Sequence, residues 1–195
     1  MKNTWLVTTL VSLLSATSLT THALTTPLPE RLLSLNGHHT LQLADSLSRD
    51  YFYIRDAYTS ALYHAPSRTG IQRLELTVQS ERISGRGVGL SLYDTIAITS
   101  EWEQMAILEA RLNALVKMMD TRLIQGDRIV IEYTPGRGSE VMVKNEYMGI
   151  IRGQDWFQAL IQASMAPAVP AVLVDAPALQ VQPPQTSNSI SAVFL

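Results

Sequence analysis

The stretch GDRIVIEYTPGRGSEV, residues 126–141, joins alternating strand residues to a glycine-rich turn. Apolar and polar residues alternate from 127 to 134, and 135–138 supplies the proline and glycines that tight turns use. Strand-forming residues return at 140–144, and a third short run ends at Gly153. The stretch therefore predicts a three-stranded antiparallel meander that acts as scaffold.

Further strand-like runs precede the meander, at 39–44, 51–64 and 71–79. The run at 71–79 alternates apolar with polar residues, which predicts a sheet with one face in contact with water. Its alternating positions are Leu74, Leu76 and Val78 on one side and Arg73, Glu75 and Thr77 on the other.

The clearest predicted helix begins at Ser100, whose hydroxyl forms a capping box with Glu103. Apolar residues then recur at helical spacing, and Gly126 is the predicted stop. Such a stripe is typical of core packing, although its methionines are also suited to lining a ligand cavity. The stripe contains Met105, Leu108, Leu112, Leu115, Val116 and Met119.

A second, shorter helix is predicted from Asp155, as its cap, to about Ser164. Strands, a long helix, a meander and a closing helix in this order predict an α+β fold, an antiparallel sheet covered on one face by helices. We assign this domain to residues 37–166 and expect 24–36 to be an irregular entry segment.

The N-terminus has the features of a secretory signal over residues 1–23. Lys2 precedes an apolar run at 5–16, and small residues at Thr21 and Ala23 suit signal peptidase. We therefore expect a periplasmic or secreted protein without a membrane span after cleavage; an uncleaved anchor is the alternative. Residues 167–195, rich in Pro, Gln and Ser, predict a flexible tail.

Charge and composition exclude several classes of function. The chain has 15 basic and 17 acidic residues; removing Lys2 leaves 14 against 17, a net charge of −3 with no basic run. A nucleic-acid partner is therefore not expected. The absence of cysteine excludes disulfides, thiolate zinc sites and cysteine nucleophiles.

Motifs for metal, phosphate or acyl chemistry are also missing. His38, His39 and His64 lack metal-binding spacing, so we expect no metal site and histidines in exposed turns. SGRGVGL, residues 84–90, departs from the phosphate-binding glycine pattern and favours a mobile connection. No nucleophile elbow occurs, and no cofactor is expected.

The segment 48–63 is dense in aromatic residues and contains the donors Arg49, Arg55, Tyr58 and Thr59. A guanidinium beside phenols on a sheet can hold a carboxylate or a phenolate, while aromatic walls accept apolar bulk. Surface arginines with ordinary cross-strand aromatic packing are the alternative interpretation.

Four segments, 57–63, 72–76, 126–138 and 149–160, together resemble the exported bacterial branch of the chalcone isomerase-like family. The resemblance spans about residues 37 to 166 and is most specific from Gly126 to Leu160. It implies an open-faced sandwich, a large antiparallel sheet under helices with a ligand cleft between them.

Plant enzymes of that family close a chalcone ring with an arginine, a strand threonine, and Tyr and Asn on a helix. The resemblance places Arg49 at the arginine and Tyr58 at the threonine position, while Thr59 points to the other face. Tyr93 is a neighbouring candidate. Non-catalytic relatives hold a fatty-acid carboxylate with an arginine and a tyrosine.

These observations lead to three hypotheses. The first is an exported, non-catalytic binder of a small amphipathic or fatty carboxylate, with Arg49, Tyr58, Thr59 and Tyr93 at its site. The second is an intramolecular lyase of the chalcone-flavanone type, for which no catalytic residue is assigned. The third is an interaction protein of the cell envelope whose partner is unknown.

Overall fold

The computed structural model describes residues 27–67 and 69–166, so the predicted signal and tail lie outside the described residues. Its main element is a seven-stranded antiparallel sheet in the order β1-β2-β3-β4-β7-β8-β9. Its strands are β1 (Arg31–Leu33), β2 (Thr40–Tyr51), β3 (Ile54–His64), β4 (Gln72–Val78), β7 (Arg128–Thr134), β8 (Gly138–Val143) and β9 (Glu146–Ile151); the short pair β5 (Arg82–Ser84) and β6 (Arg122–Ile124) forms a second sheet.

The predicted meander is confirmed as β7, β8 and β9, paired antiparallel in sequence order. The β8–β9 turn is made by Lys144 and Asn145, with positive φ angles of 54° and 66°, as two-residue turns of type I′ require. β7 also pairs with β4, which joins the meander to the N-terminal strands.

The N-terminal strands differ from the prediction in two places. The segment 24–36 is not wholly irregular, because β1 pairs with β2. The strand predicted at 39–44 continues as β2 to Tyr51, so the run 51–64 is not one strand either: a two-residue turn at Phe52 and Tyr53 leads from β2 into β3. The strand at 71–79 is confirmed as β4.

The glycine-rich stretch 84–90 is not a mobile connection, because helix α1 (Gly85–Thr99) begins there. The Ser84 hydroxyl caps it by accepting from the Gly87 amide at 3.1 Å. A Cβ at Gly85 would lie 2.4 Å from the Met119 carbonyl oxygen, and one at Gly87 would lie 1.9 Å from the Tyr51 hydroxyl. These glycines are therefore needed for close packing.

Helix α2 (Trp102–Met118) contains the predicted apolar stripe, and Leu108, Leu112, Leu115, Val116 are buried on it. The predicted capping box was wrong: Ser100 is the C-cap of α1, and Glu101 precedes α2 without a side-chain cap. Gly126 does not end the helix either, since β6 intervenes and Gly126 occupies a later turn at φ 86°.

The closing helix is confirmed as α3 (Asp155–Met165), with Gln154 rather than Asp155 at the N-cap position. The Asp155 carboxylate instead accepts a hydrogen bond from Arg111 of α2 at 2.6 Å. That hydrogen bond lowers the pKa of Asp155, although burial opposes the shift. No described helix is long and apolar enough to span a bilayer.

The three helices cover one face of the sheet, which we call the inner face, and the main core lies between them. Alternate residues of the central strands meet the apolar sides of all three helices there. Buried members include Tyr58, Leu74, Leu76, Ile131 and Val141 from strands and Leu92, Ile96, Leu108, Leu112, Trp156 and Phe157 from helices.

On the opposite, outer face of β4, Thr77 is half-buried, but Arg73 and Glu75 are buried, which corrects the prediction for these two residues. These side chains are only 6 % and 2 % exposed. Arg73 donates to Glu132 at 2.9 and 2.6 Å, and Leu35 of the N-terminal segment donates its amide to the same carboxylate. Charge pairing therefore allows these polar residues to be buried.

Candidate functional site

Arg49 of β2 and Tyr58 of β3 are directly opposite each other in the sheet. Tyr58 in turn pairs with Val78 of β4, and both belong to the core under the helices. Because directly opposed residues share a face, the arginine and the tyrosine lie together on the inner face.

The Arg49 guanidinium reaches the C-terminal end of α3. It donates to the carbonyl oxygens of Ala163, at 3.2 Å, and of Ala166. These are among the last carbonyls of the helix, which lack partners within it and carry its partial negative charge. Within the described residues Arg49 forms no salt bridge with a carboxylate, so its neighbours there are carbonyl oxygens and the Tyr58 phenol.

Tyr58 is 2 % exposed. Burial raises the pKa of the Tyr58 phenol above its ordinary value, and the Arg49 guanidinium beside it partly opposes that shift. The phenol is protonated near neutral pH at its ordinary pKa, and the shift makes it still harder to ionise. The pair thus presents a guanidinium and a hydroxyl as adjacent hydrogen-bond donors.

Thr59 is opposite Thr77 on the outer face, away from the Arg49 and Tyr58 pair. Its hydroxyl accepts from the Gln79 side chain at 3.2 Å. Arg55, the other basic residue of this segment, is exposed near the start of β3. The structure therefore does not bring Thr59 to the inner face with the proposed anchor.

Tyr93 lies on α1 and is half-buried against the main core, in which Tyr58 is also packed. It therefore belongs to the correct side of the sheet for the predicted cleft. The histidines occupy other places: His38 and His64 are exposed and His39 is half-buried. In the described ranges no group of three His, Asp or Glu residues has the arrangement of a metal site.

At the inner face the Arg49 guanidinium contacts the end of α3. Four surface cavities formed by described residues are lined by neither Arg49 nor Tyr58. The largest, about 670 Å³, is next to β5 and β6, and one of about 550 Å³ adjoins it. The others, of about 210 and 80 Å³, lie beside the β7–β8 turn and between α2 and β9.

Two features of this site are absent from the sequence prediction. The acceptors of the Arg49 guanidinium are backbone carbonyls 114 and 117 residues away, and backbone groups leave no residue-type signal. The cavity next to β5 and β6 is lined by Arg82 and Arg122. They lie on β5 and β6, which pair with each other although α1 and α2 separate them in the sequence, so local pattern does not indicate that the two arginines are close.

Comparison with known proteins gave one family. The model described as chalcone isomerase-like matches residues 28–166. No curated protein sequence matched the chain. Among solved structures, the chain is similar to a fatty-acid binding protein of Arabidopsis thaliana, with 10% identity, coverage of 71% of this chain and 91% of that chain, and a TM-score of 0.47.

Proposed function

The chain belongs to the chalcone isomerase-like family, and from that premise we propose that it binds a small amphipathic carboxylate, such as a fatty acid, without catalysis. Arg49 and Tyr58 hold the carboxylate in this proposal. The apolar chain of the ligand lies between the inner face of the sheet and the helices.

The observation that carries the proposal is the placement of Arg49. Its guanidinium lies on the inner face beside the Tyr58 hydroxyl, and oxygen atoms of two backbone carbonyls are its acceptors. A ligand carboxylate offers the same kind of oxygen acceptor with a full negative charge. Charge-assisted hydrogen bonds of this kind are stronger than those to neutral carbonyls.

Binding requires the carboxylate to replace the carbonyls of Ala163 and Ala166 at the guanidinium. The final turn of α3 therefore moves away from Arg49 as the ligand enters. The ligand favours this open arrangement only to the extent that its carboxylate and chain make better contacts than α3 does. The apolar residues of the core then supply the walls for the chain.

The position of Thr59 supports binding rather than ring closure. Family enzymes use a strand threonine together with the arginine, whereas Thr59 lies on the outer face and is engaged with Gln79. Tyr58 occupies the inner-face position instead. A protonated phenol beside the Arg49 guanidinium is suited to donate a hydrogen bond to a carboxylate.

We also propose that this binding takes place outside the cytoplasm. Residues 1–23 combine a basic start, an apolar run and small residues before the expected cleavage point. The N-terminal sequence of the protein isolated from its native cells tests this part. A mature chain beginning near residue 24 supports export, and an intact Met1 in the cytoplasmic fraction contradicts it.

Equilibrium binding of a long-chain fatty acid, followed by calorimetry, tests the anchor. We expect Arg49→Gln to weaken binding about 10- to 150-fold, because it removes a charged hydrogen bond worth about 1.5 to 3 kcal/mol. Tyr58→Phe should weaken it less, since a neutral donor is lost. The matched alcohol of the same chain length should bind wild type weakly.

Arg152→Gln is the control, because it removes an exposed arginine in the loop before α3. Thermal melts establish that Arg49→Gln remains folded, and Arg49→Lys, which retains the charge, should recover part of the affinity. Equal fatty-acid affinity for wild type, Arg49→Gln and Arg152→Gln would remove the proposed anchor.

A further inference from the structure

Three consecutive apolar residues, Phe52, Tyr53 and Ile54, form the tip of the β2–β3 hairpin; we call them the hairpin tip. Phe52 is 81 % exposed, Tyr53 is fully exposed and Ile54 is 38 % exposed. Single exposed apolar residues are ordinary, but a contiguous exposed patch marks a surface for a partner or a membrane.

The backbone of the hairpin tip is also unusual. Phe52 has a φ of 52° in a two-residue turn, a conformation that hairpins normally give to Gly, Asn or Asp. A positive φ is an outlier for a bulky residue. The turn thus retains an aromatic side chain where a glycine would relieve backbone strain, and such outliers concentrate at functional positions.

A surface cavity of about 670 Å³ lies next to the hairpin tip; we call it the cationic groove. It is lined by Arg82, Arg122, Tyr51, Thr121 and Asp120 among others. Asp120 is within 3.4 Å of Arg86. Within the described ranges neither Arg82 nor Arg122 forms a salt bridge, so the groove presents two guanidinium groups without a bound carboxylate.

The two features form one continuous surface. Tyr51 lines the cationic groove, and its ring makes an edge contact with the Phe52 ring at a centroid distance of 4.7 Å. On the other side, Ile54 and Arg82 line a second cavity, together with Ser80 and Glu81. Exposed aromatic residues therefore project directly beside a pair of cations.

We propose that the hairpin tip and the cationic groove together bind the surface of an anionic phospholipid membrane. Phe52 and Tyr53 enter the headgroup region, where amphipathic aromatic rings are favoured. Arg82 and Arg122 pair with lipid phosphates through charge-assisted hydrogen bonds. This site uses none of the residues proposed to hold a fatty carboxylate, so either proposal can fail without the other.

The absence of cysteine from the chain allows a probe to be placed at one position. Tyr53→Cys in the full chain is labelled with an environment-sensitive fluorophore and mixed with vesicles. The vesicles are pure phosphatidylcholine or phosphatidylcholine mixed with phosphatidylglycerol. Trp102→Cys, at a residue 82 % exposed at the start of α2, carries the same label as the positional control.

We expect the Tyr53 probe to shift to the blue with anionic vesicles and to remain aqueous with neutral ones, while the Trp102 probe stays aqueous. Adding Arg82→Gln and Arg122→Gln should weaken the apparent affinity about 30-fold, because each surface arginine contributes about fivefold. Raising the salt concentration should have a similar effect. Arg31→Gln with Arg152→Gln, which removes two exposed arginines elsewhere, should leave the affinity unchanged.

Three results would overturn the proposal. One is an equal blue shift with neutral and anionic vesicles, and another is equal weakening by the two double substitutions. The third uses inorganic phosphate as a soluble probe in calorimetry. If phosphate binds in an Arg82-dependent manner while the Tyr53 probe stays aqueous with every vesicle, the groove is a site for a soluble phosphate compound.

Discussion

The inner face of the sheet buries Leu76 and Ile131 under three helices, whereas the outer face buries Arg73 and Glu132 under the N-terminal segment. On the inner face, removal of apolar area from water supplies the stability. On the outer face, the cost of desolvating charged groups is offset by ion pairs and hydrogen bonds. The outer face also buries an apolar cluster around Leu41, Ala61 and Tyr63, so buried charge pairs distinguish it from the inner face chiefly at β4 and β7.

The outer-face charges are linked to the segment around Leu33 and Leu35 that covers them. Glu132 accepts from the Leu35 amide at 2.9 and 3.0 Å, and Arg73 donates to the Leu33 carbonyl at 2.9 Å. Glu75 is within 4.0 Å of Arg73 and 3.4 Å of Arg128. The N-terminal segment is thus held by directional bonds, and its position depends on both members of the central pair.

The largest expected effect is from Glu132→Ala, which leaves the Arg73 guanidinium buried without its closest partner. We expect a loss of about 3 to 5 kcal/mol in the free energy of unfolding, measured by urea denaturation. The paired change Arg73→Met with Glu132→Leu should cost much less, since it removes both charges. If Glu132→Ala lowered the free energy of unfolding no more than the paired change does, the stability of the outer face would not depend on charge pairing.

On the inner face, the free energy of unfolding should depend instead on the volume of the buried apolar side chains. Leu76→Ala removes a side chain that is 1 % exposed, and we expect a loss of about 2 to 5 kcal/mol. Thr77→Ala, at the adjacent half-buried position of the outer face, is the matched control and should cost less than about 1 kcal/mol. If Leu76→Ala and Thr77→Ala lowered the free energy of unfolding equally in urea denaturation, the two faces of β4 would not differ in this way.

Two parts of the fold were predictable from local sequence patterns alone. Alternation and turn residues predict the meander, and helical spacing predicts the buried stripe of α2. Helix α1 could not be predicted from local propensity, because Gly85 and Gly87 disfavour helix. Their presence is explained by neighbours far away in sequence, Met119 and Tyr51.

The burial of Arg73 and Glu75 was not predicted for a similar reason, since it also depends on residues far away in the sequence. Alternation correctly separated the two faces of β4, but it does not show which face other segments cover. The Arg73 partners Leu33 and Glu132 are 40 and 59 residues away. At the candidate site, alternation placed Thr59 on the outer face, whereas nothing local indicated that Arg49 meets the end of α3.

The tightness of the helical layer above the inner face can be tested with Gly85→Ala. The new Cβ would lie 2.4 Å from the Met119 carbonyl oxygen, and backbone there cannot rotate away as a side chain does. Overpacking of this kind costs about 1 to 3 kcal/mol. Ala97→Gly, at a half-buried position in the same helix, is the comparison that measures mainly the effect of propensity.

Thermal and urea unfolding of Gly85→Ala and Ala97→Gly distinguish the effect of helix propensity from the effect of packing. If propensity dominated, Gly85→Ala would stabilise the helix and Ala97→Gly would destabilise it by about 1 kcal/mol. If packing dominates, as the contact distance indicates, both changes destabilise the protein. A more stable Gly85→Ala variant would show that the α1 and α2 termini are not closely packed.

The smallest expected effect concerns Tyr63 on the outer face. Burial raises the pKa of its phenol to about 12, and the nearby Glu75 carboxylate adds to the shift. The unfolded phenol loses its proton near pH 10, so from about pH 10 to 12 the folded state retains more protons and stability falls as pH rises. Tyr63→Phe should remove that part of the decline.

Near neutral pH Tyr63→Phe should change stability little, because the buried hydroxyl has no hydrogen-bond partner among the described residues. Urea denaturation of both proteins from pH 8 to 12 isolates the contribution, since other titrating groups are common to both. Tyr147→Phe, at an exposed tyrosine of β9, is the control. If wild type and Tyr63→Phe decline in parallel, the phenol ionises equally easily in the folded and unfolded states. Tyr63 would then not be shielded from water on the outer face, contrary to its burial in the structure.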